Sequence, residues 1–109
     1  RLDEAIEEYK KALDIRYIDP HWHYDLALAY QDKGMLDEAI FHYKETIRYG
    51  LNQDTDTRVN LANAYARKGM YEDAIASYME ALRIDPKNPL AIRNMDVVKR
   101  RLGEKMDAR

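Results

Sequence analysis

The feature that most constrains this chain is a recurrence: the same small and aromatic residues return at a spacing of about 34 residues. Ala5, Ala39 and Ala74 share one register, as do Tyr9, Tyr43 and Tyr78, then Ala12, Thr46 and Ala81, then Leu13, Ile47 and Leu82. A second set runs through Leu26, Ala27, Tyr30 and Gly34 and returns as Leu61, Ala62, Tyr65 and Gly69. A repeat of this length is one supersecondary unit. It cannot bury its apolar face alone, so its copies must stack.

Taken in order, residues 1–16 read as an amphipathic helix. Leu2, Ala5, Ile6, Tyr9, Ala12 and Leu13 share one face, and Glu4, Glu7, Glu8, Lys10 and Lys11 the other. Pro20 sits where a missing N–H costs nothing and opens a helix to about Lys33, after which Gly34 supplies a left-handed turn. Asp37 and Glu38 favour the positive end of a third helix, which runs to about Tyr49. Leu51 stands where Pro86 stands in the next copy, so the link at 50–54 is expected to be a slightly irregular turn. Helices over 55–68 and 71–84 join at Gly69 and close at Asp85 and Pro86; Pro86 and Pro89 rule out a continuous helix there. A last helix is expected over 89–102, with Leu90, Ile92, Met95 and Val98 on its apolar side. Asp96 and Lys99 stand where the preceding copy has Ala62 and Tyr65, which gives this helix a polar back, and residues 103–109 are expected to fray.

On Leu61, Ala62, Tyr65, Gly69, Tyr71, Ala74, Tyr78, Ala81 and Pro86, the stretch 55–88 resembles one tetratricopeptide repeat. The resemblance implies an all-α fold, a right-handed α-solenoid of antiparallel helix pairs forming one domain over 1–109. It would hold the second helix of a truncated repeat at 1–16, full repeats at 20–49 and 55–88, and a capping helix at 89–102. The first helices of such solenoids line a concave groove that holds a peptide or a partner helix. Carried onto this sequence, the groove receives Tyr24, Asp25 and Leu28 from one helix, Val59, Asn60, Asn63 and Arg67 from the next, and Arg93, Asn94 and Arg101 from the last. Asp25, Asn60 and Asn94 fall at equivalent points, and carboxamides in such a ladder can both donate to and accept from a peptide backbone. Some family members clamp a terminal carboxylate with a set of Lys, Asn and Arg. Of that set only Asn60 is matched, with Tyr24, Leu28, Leu90 and Asn94 at the other positions.

Composition narrows the remaining classes. A net charge of −2 and a pI near 5.9 give no general attraction to phosphate backbones or anionic lipid, so neither nucleic acid nor a membrane is an expected partner. The absence of cysteine excludes a disulfide framework and thiolate metal sites and fits a reducing compartment, and a cytoplasmic location is expected. His21 and Asp25 lie one helical turn apart, but His23 points elsewhere and His42 is on another helix. The expectation is an exposed groove histidine and no metal. Ser77 is the only serine, no nucleophile motif surrounds it, and the glycines are assigned to turns, so neither enzymatic activity nor a cofactor is expected. Asp25, Asp32, Asp54 and Asp56 precede Arg93, Lys99, Arg100 and Arg101, which suits a ligand with acidic groups toward the C-terminal part.

The leading function is therefore a protein-interaction scaffold. A second one, from another class, is a self-association module. The first helix lacks its own partner, and Leu2, Ile6, Tyr9 and Leu13 would leave an apolar stripe for a second copy to cover, giving a homodimer. A third is the non-catalytic repeat region of a larger enzyme.

Overall fold

The computed structural model describes residues 1–14, 19–50 and 54–108, and at 11–14 the backbone alone. The expected last turn of the first helix at 15–16, the side chains of Ala12 and Leu13, Leu51 with the rest of the link at 51–53, and Arg109 lie outside the described residues. Among the described residues the structure is all-α, with six helices: α1 (Leu2–Asp14), α2 (Pro20–Lys33), α3 (Leu36–Arg48), α4 (Thr55–Arg67), α5 (Tyr71–Ile84) and α6 (Pro89–Asp107). They form two compact units, Arg1–Gln53 and Asp54–Arg109.

In the first unit α2 packs against both α1 and α3. Asp19 caps α2 by accepting from the His21 N–H at 2.8 Å, Pro20 follows at the first helical position, and Gly34 ends the helix at φ 83°. The Met35 N–H then reaches back to the Tyr30 carbonyl at 2.9 Å, which satisfies a carbonyl the helix would otherwise leave open. The short turn folds α3 onto α2, where the fully buried Ala27 and Ala39 allow close approach and Leu26 and Tyr43 fill the seam.

The second unit repeats this chemistry. Asp54 caps α4, accepting from the Asp56 N–H at 3.1 Å and from the Thr57 hydroxyl at 2.6 Å. Gly69 turns the chain at φ 80°, and the Met70 N–H bonds the Tyr65 carbonyl at 2.9 Å. Ala62 and Ala74 are fully buried, matching Ala27 and Ala39 in the first unit. Asn88 caps α6 by accepting from the Ala91 N–H at 3.0 Å; α6 packs mainly on α5 and also touches α4.

Three sequence expectations are corrected. Ile6 is not part of an exposed stripe. It is only 5% exposed, in a recess with Tyr30, Lys33 and Met35, because the apolar face of α1 packs on the helix that follows it. An ion pair between Lys33 and Asp3 closes the edge of that recess. The observation that motivated pairing of two chains through Ile6 is thereby lost. Secondly, α6 does not stop at Leu102. It continues through Gly103 to Asp107, with Gly103 inside the helix and not at a turn, and the Lys105 ammonium lies 5.7 Å from the centre of the Tyr71 ring. Thirdly, the buried side of α6 is Ala91 and Val98, whereas Leu90 and Ile92 are each 49% exposed. Among the described residues no helix is long and apolar enough to cross a membrane.

Candidate functional site

On α2 the expected binding face divides between ligand-accessible and internal roles. Tyr24 and Leu28 are partly exposed, and Tyr24 meets the buried Tyr43 edge-on at 6.1 Å. Asp25 is also partly exposed, but its carboxylate accepts a hydrogen bond from the Tyr9 hydroxyl of α1. The Tyr43 hydroxyl donates to Gln31 at 2.6 Å, and its burial, helped by Tyr24 and Asp32, raises its pKa.

The histidines do not behave alike. His21 is exposed, as expected of a groove residue. His23 is buried on a different face of α2: its ring stacks on His42 of α3, and the two Nδ1 atoms lie 3.0 Å apart. One ring donates and the other accepts, so the pair bonds as neutral imidazoles. Tyr49 stacks on His23 at 5.8 Å and Tyr30 on His42 at 5.5 Å, which makes a column of four rings. Burial, then His23 and Lys10, lowers the His42 pKa to about 4; burial lowers that of His23, against the pull of Glu45. Among the described residues no group of three or more His, Asp or Glu is placed to hold a metal ion.

In the second unit the face of α4 and the face of α6 border an open cavity of about 330 Å³. From α4 come Asn63 and Arg67, one turn apart, with Ala66 between them; from α6 come Asn94, Val97, Val98 and Arg101, spaced as one helical stripe. Tyr71 and Tyr78 of α5 complete it. A polar network ties the three helices together here. Asn63 Oδ1 accepts from the Tyr78 hydroxyl and, at 3.2 Å, from Asn94 Nδ2. Burial pushes the Tyr78 pKa up to about 12, so its hydroxyl stays a donor.

Of the ten residues expected to contact a ligand, four converge on this cavity: Asn63, Arg67, Asn94 and Arg101. Asn60 is partly exposed on α4, and Arg93 is exposed on α6 without lining the cavity. Val59 is only 5% exposed and belongs to the core rather than to a contact surface. Asn94 serves the internal network, so it is not a free rung of an amide ladder. Sequence reasoning passed over Tyr71 and Tyr78 as site residues because both fall on repeat positions that usually read as packing. Their spacing of two turns on α5 was the available signal. Of the residues expected to mediate self-association, Leu2 is 38% exposed, Tyr9 is partly exposed and Ile6 is buried.

Comparison with known proteins agrees with this architecture. Residues 56–88 match a family model described as tetratricopeptide repeat, residues 1–34 one described as TPR repeat, and residues 23–49 a further tetratricopeptide repeat model. No curated protein sequence matches significantly. Among solved structures, MamA superposes with a TM-score of 0.88 at 21% identity over 98% of this chain, which spans 58% of that protein. The first TPR of Spaghetti (RPAP3), solved bound to the HSP90 peptide SRMEEVD, gives 0.85 at 22% identity, covering 94% of this chain and 80% of that one. PcrH, in complex with the chaperone binding region of PopD, gives 0.79 at 17% identity over 92% and 80%. At these identities the likeness is one of fold.

Proposed function

Because this chain belongs to the tetratricopeptide repeat family, we propose that it is a non-catalytic interaction module that holds a peptide or partner helix against the faces of its first helices. The observation that carries this is the α4–α6 cavity, which is lined by apolar side chains together with Asn63, Asn94, Arg67 and Arg101. Support also comes from two fold neighbours solved with a peptide or partner segment in place. On α2, Tyr24 and Leu28 offer apolar contact and His21 a polar one, and their partial exposure suits a bound chain running over them. Nothing in these faces calls for chemistry: the one serine, Ser77, lies on α5 and lines neither them nor the cavity.

The test is selection of peptides from a random displayed library on the whole chain, followed by affinity measurements with purified peptides. Tyr24→Ala or Arg101→Glu is expected to weaken selected peptides by about tenfold, the loss of one anchor or one charge-assisted contact. Glu80→Ala on the outer side of α5 should leave affinity unchanged. If no peptide is selected, or if Glu80→Ala is the variant that abolishes binding, the first-helix faces are not the binding surface.

A further inference from the structure

We propose that the outward side of α6 is a second interaction surface, and that its partner is an amphipathic helix with a carboxylate facing Lys99. Ile92, Lys99 and Met106 follow one another at intervals of seven residues, so they stand in one line along α6, with Met95 and Leu102 beside it. Ile92 is 49% and Met106 56% exposed, Lys99 is exposed, and Met95 and Leu102 are half-buried, each one turn from the buried Val98. A lone exposed apolar side chain is ordinary. Ile92, Met95, Leu102 and Met106 in alternating steps around Lys99 instead form a seam into which a second helix fits. This seam is not the groove, because Asn94, Val97 and Arg101 leave α6 on another side.

The charge at its centre selects the occupant. Lys99 lies midway between Ile92 and Met106, so two copies of α6 paired through the seam, parallel or antiparallel, would set Lys99 against Lys99. Like charges facing each other in a closing contact oppose that pairing. A further helix packed in the manner of α5 on α4 is opposed as well, since Asp96 and Lys99 stand where α4 has the buried Ala62 and Tyr65. A carboxylate on the partner pairs the Lys99 ammonium while the four-carbon stem packs against its apolar neighbours. Asp96 already has Arg100 at 3.8 Å, and α6 carries five basic residues against three acidic ones, which favours an acidic partner along its length. Gly103, one turn beyond Lys99, has open space where a Cβ would stand, so a partner backbone can come close there. The surface does not rest on the groove function proposed above.

The probe is a capped three-heptad peptide with Leu at both core positions and Glu at the flanking ones, set beside a twin with Lys in place of Glu. Each is titrated into the isotope-labelled whole chain while the methyl signals of Ile92, Met95, Leu102 and Met106 are followed by NMR. The acidic peptide is expected to shift these signals with a dissociation constant on the order of 100 μM, and the basic twin to bind about tenfold more weakly. Lys99→Glu should reverse that order, a result that loss of packing alone would not produce. Ile92→Gln with Met106→Gln should weaken the acidic peptide at least about tenfold, with helix content by circular dichroism unchanged. The proposal is overturned if the acidic peptide does not bind, if both peptides bind alike and Lys99→Glu changes nothing, or if the shifts fall on Asn63 and Tyr78 instead. It is overturned too if light scattering shows a dimer of the free chain that Ile92→Gln with Met106→Gln dissolves, which would make a second copy the occupant. Library peptides that bind the first-helix faces while the acidic helix leaves the seam silent would remove this surface and keep the groove function, and the converse result would do the reverse.

Discussion

His23 and His42 lie 19 residues apart in the chain, yet the stack between α2 and α3 makes each the other's hydrogen-bond partner. The sign of the pH effect follows from their depressed pKa values. His42 is held at about 4 when folded, against 6.5 for an ordinary histidine, so the unfolded chain binds more protons in between. The stability due to this pair is complete above about pH 6.5 and drains away as pH falls toward 4. Urea unfolding should therefore weaken between about pH 7 and pH 5, a range above most carboxylate titrations, and His42→Phe, which keeps the ring column, should flatten that decline. An equally steep decline in His42→Phe would assign the effect elsewhere. A second residue-scale consequence concerns Tyr78, whose hydroxyl meets Asn63. Tyr78→Phe is expected to lower stability by about 0.5–1.5 kcal/mol by chemical denaturation, since Asn94 still donates to the same oxygen. These pairings were not legible in the sequence. The repeat register names which positions are buried, but not which side chains on two helices meet, so that His23 points away from His21 was legible and its partner was not.

At the scale of the helix, glycine shows how context decides. Gly34 and Gly69 were readable as left-handed turns because each follows a run with helical period and precedes an acidic helix start, and both adopt positive φ. Gly103 has the same residue type but lies within α6, and nothing stands within 4 Å of a Cβ placed there. Gly103→Ala is thus expected to stabilise the chain by about 0.5–1 kcal/mol, and Gly34→Ala to destabilise it by about 1 kcal/mol despite equally open space, both read from thermal melts. The sequence ended α6 too early because glycine lowers helix propensity, whereas Lys105 over Tyr71 rewards its continuation. The first helix was misjudged for the opposite reason. Its apolar stripe was legible, but its cover was sought in a missing partner and is found in α2. Ile6→Ala should accordingly cost about 2–4 kcal/mol in urea unfolding of the chain, as a core truncation and not as loss of a dimer contact.

Across the whole molecule, the family, the helix order and the small-residue seams were legible, because Ala27, Ala39, Ala62 and Ala74 can tolerate little else at buried crossings. The ligand-facing residues were legible only in part. Spacing placed Asn63, Arg67, Asn94 and Arg101 on first-helix faces, but their convergence on one cavity depends on α5, which supplies Tyr71 and Tyr78 from behind. Acidic residues predominate in Arg1–Gln53 and basic ones slightly in Asp54–Arg109, so a partner with acidic groups should favour the second unit, and its binding should weaken as salt screens the arginines. The most direct measurement is a backbone and side-chain NMR shift map of the isotope-labelled whole chain with one library-selected peptide. The account predicts shifts on the first-helix faces, at Tyr24 and Leu28 of α2 or at Asn63, Arg67, Asn94 and Arg101 around the cavity, with α3 and the outer side of α5 silent. Shifts confined to Phe41 and Lys44 of α3 or Met79 and Glu80 of α5 would contradict it.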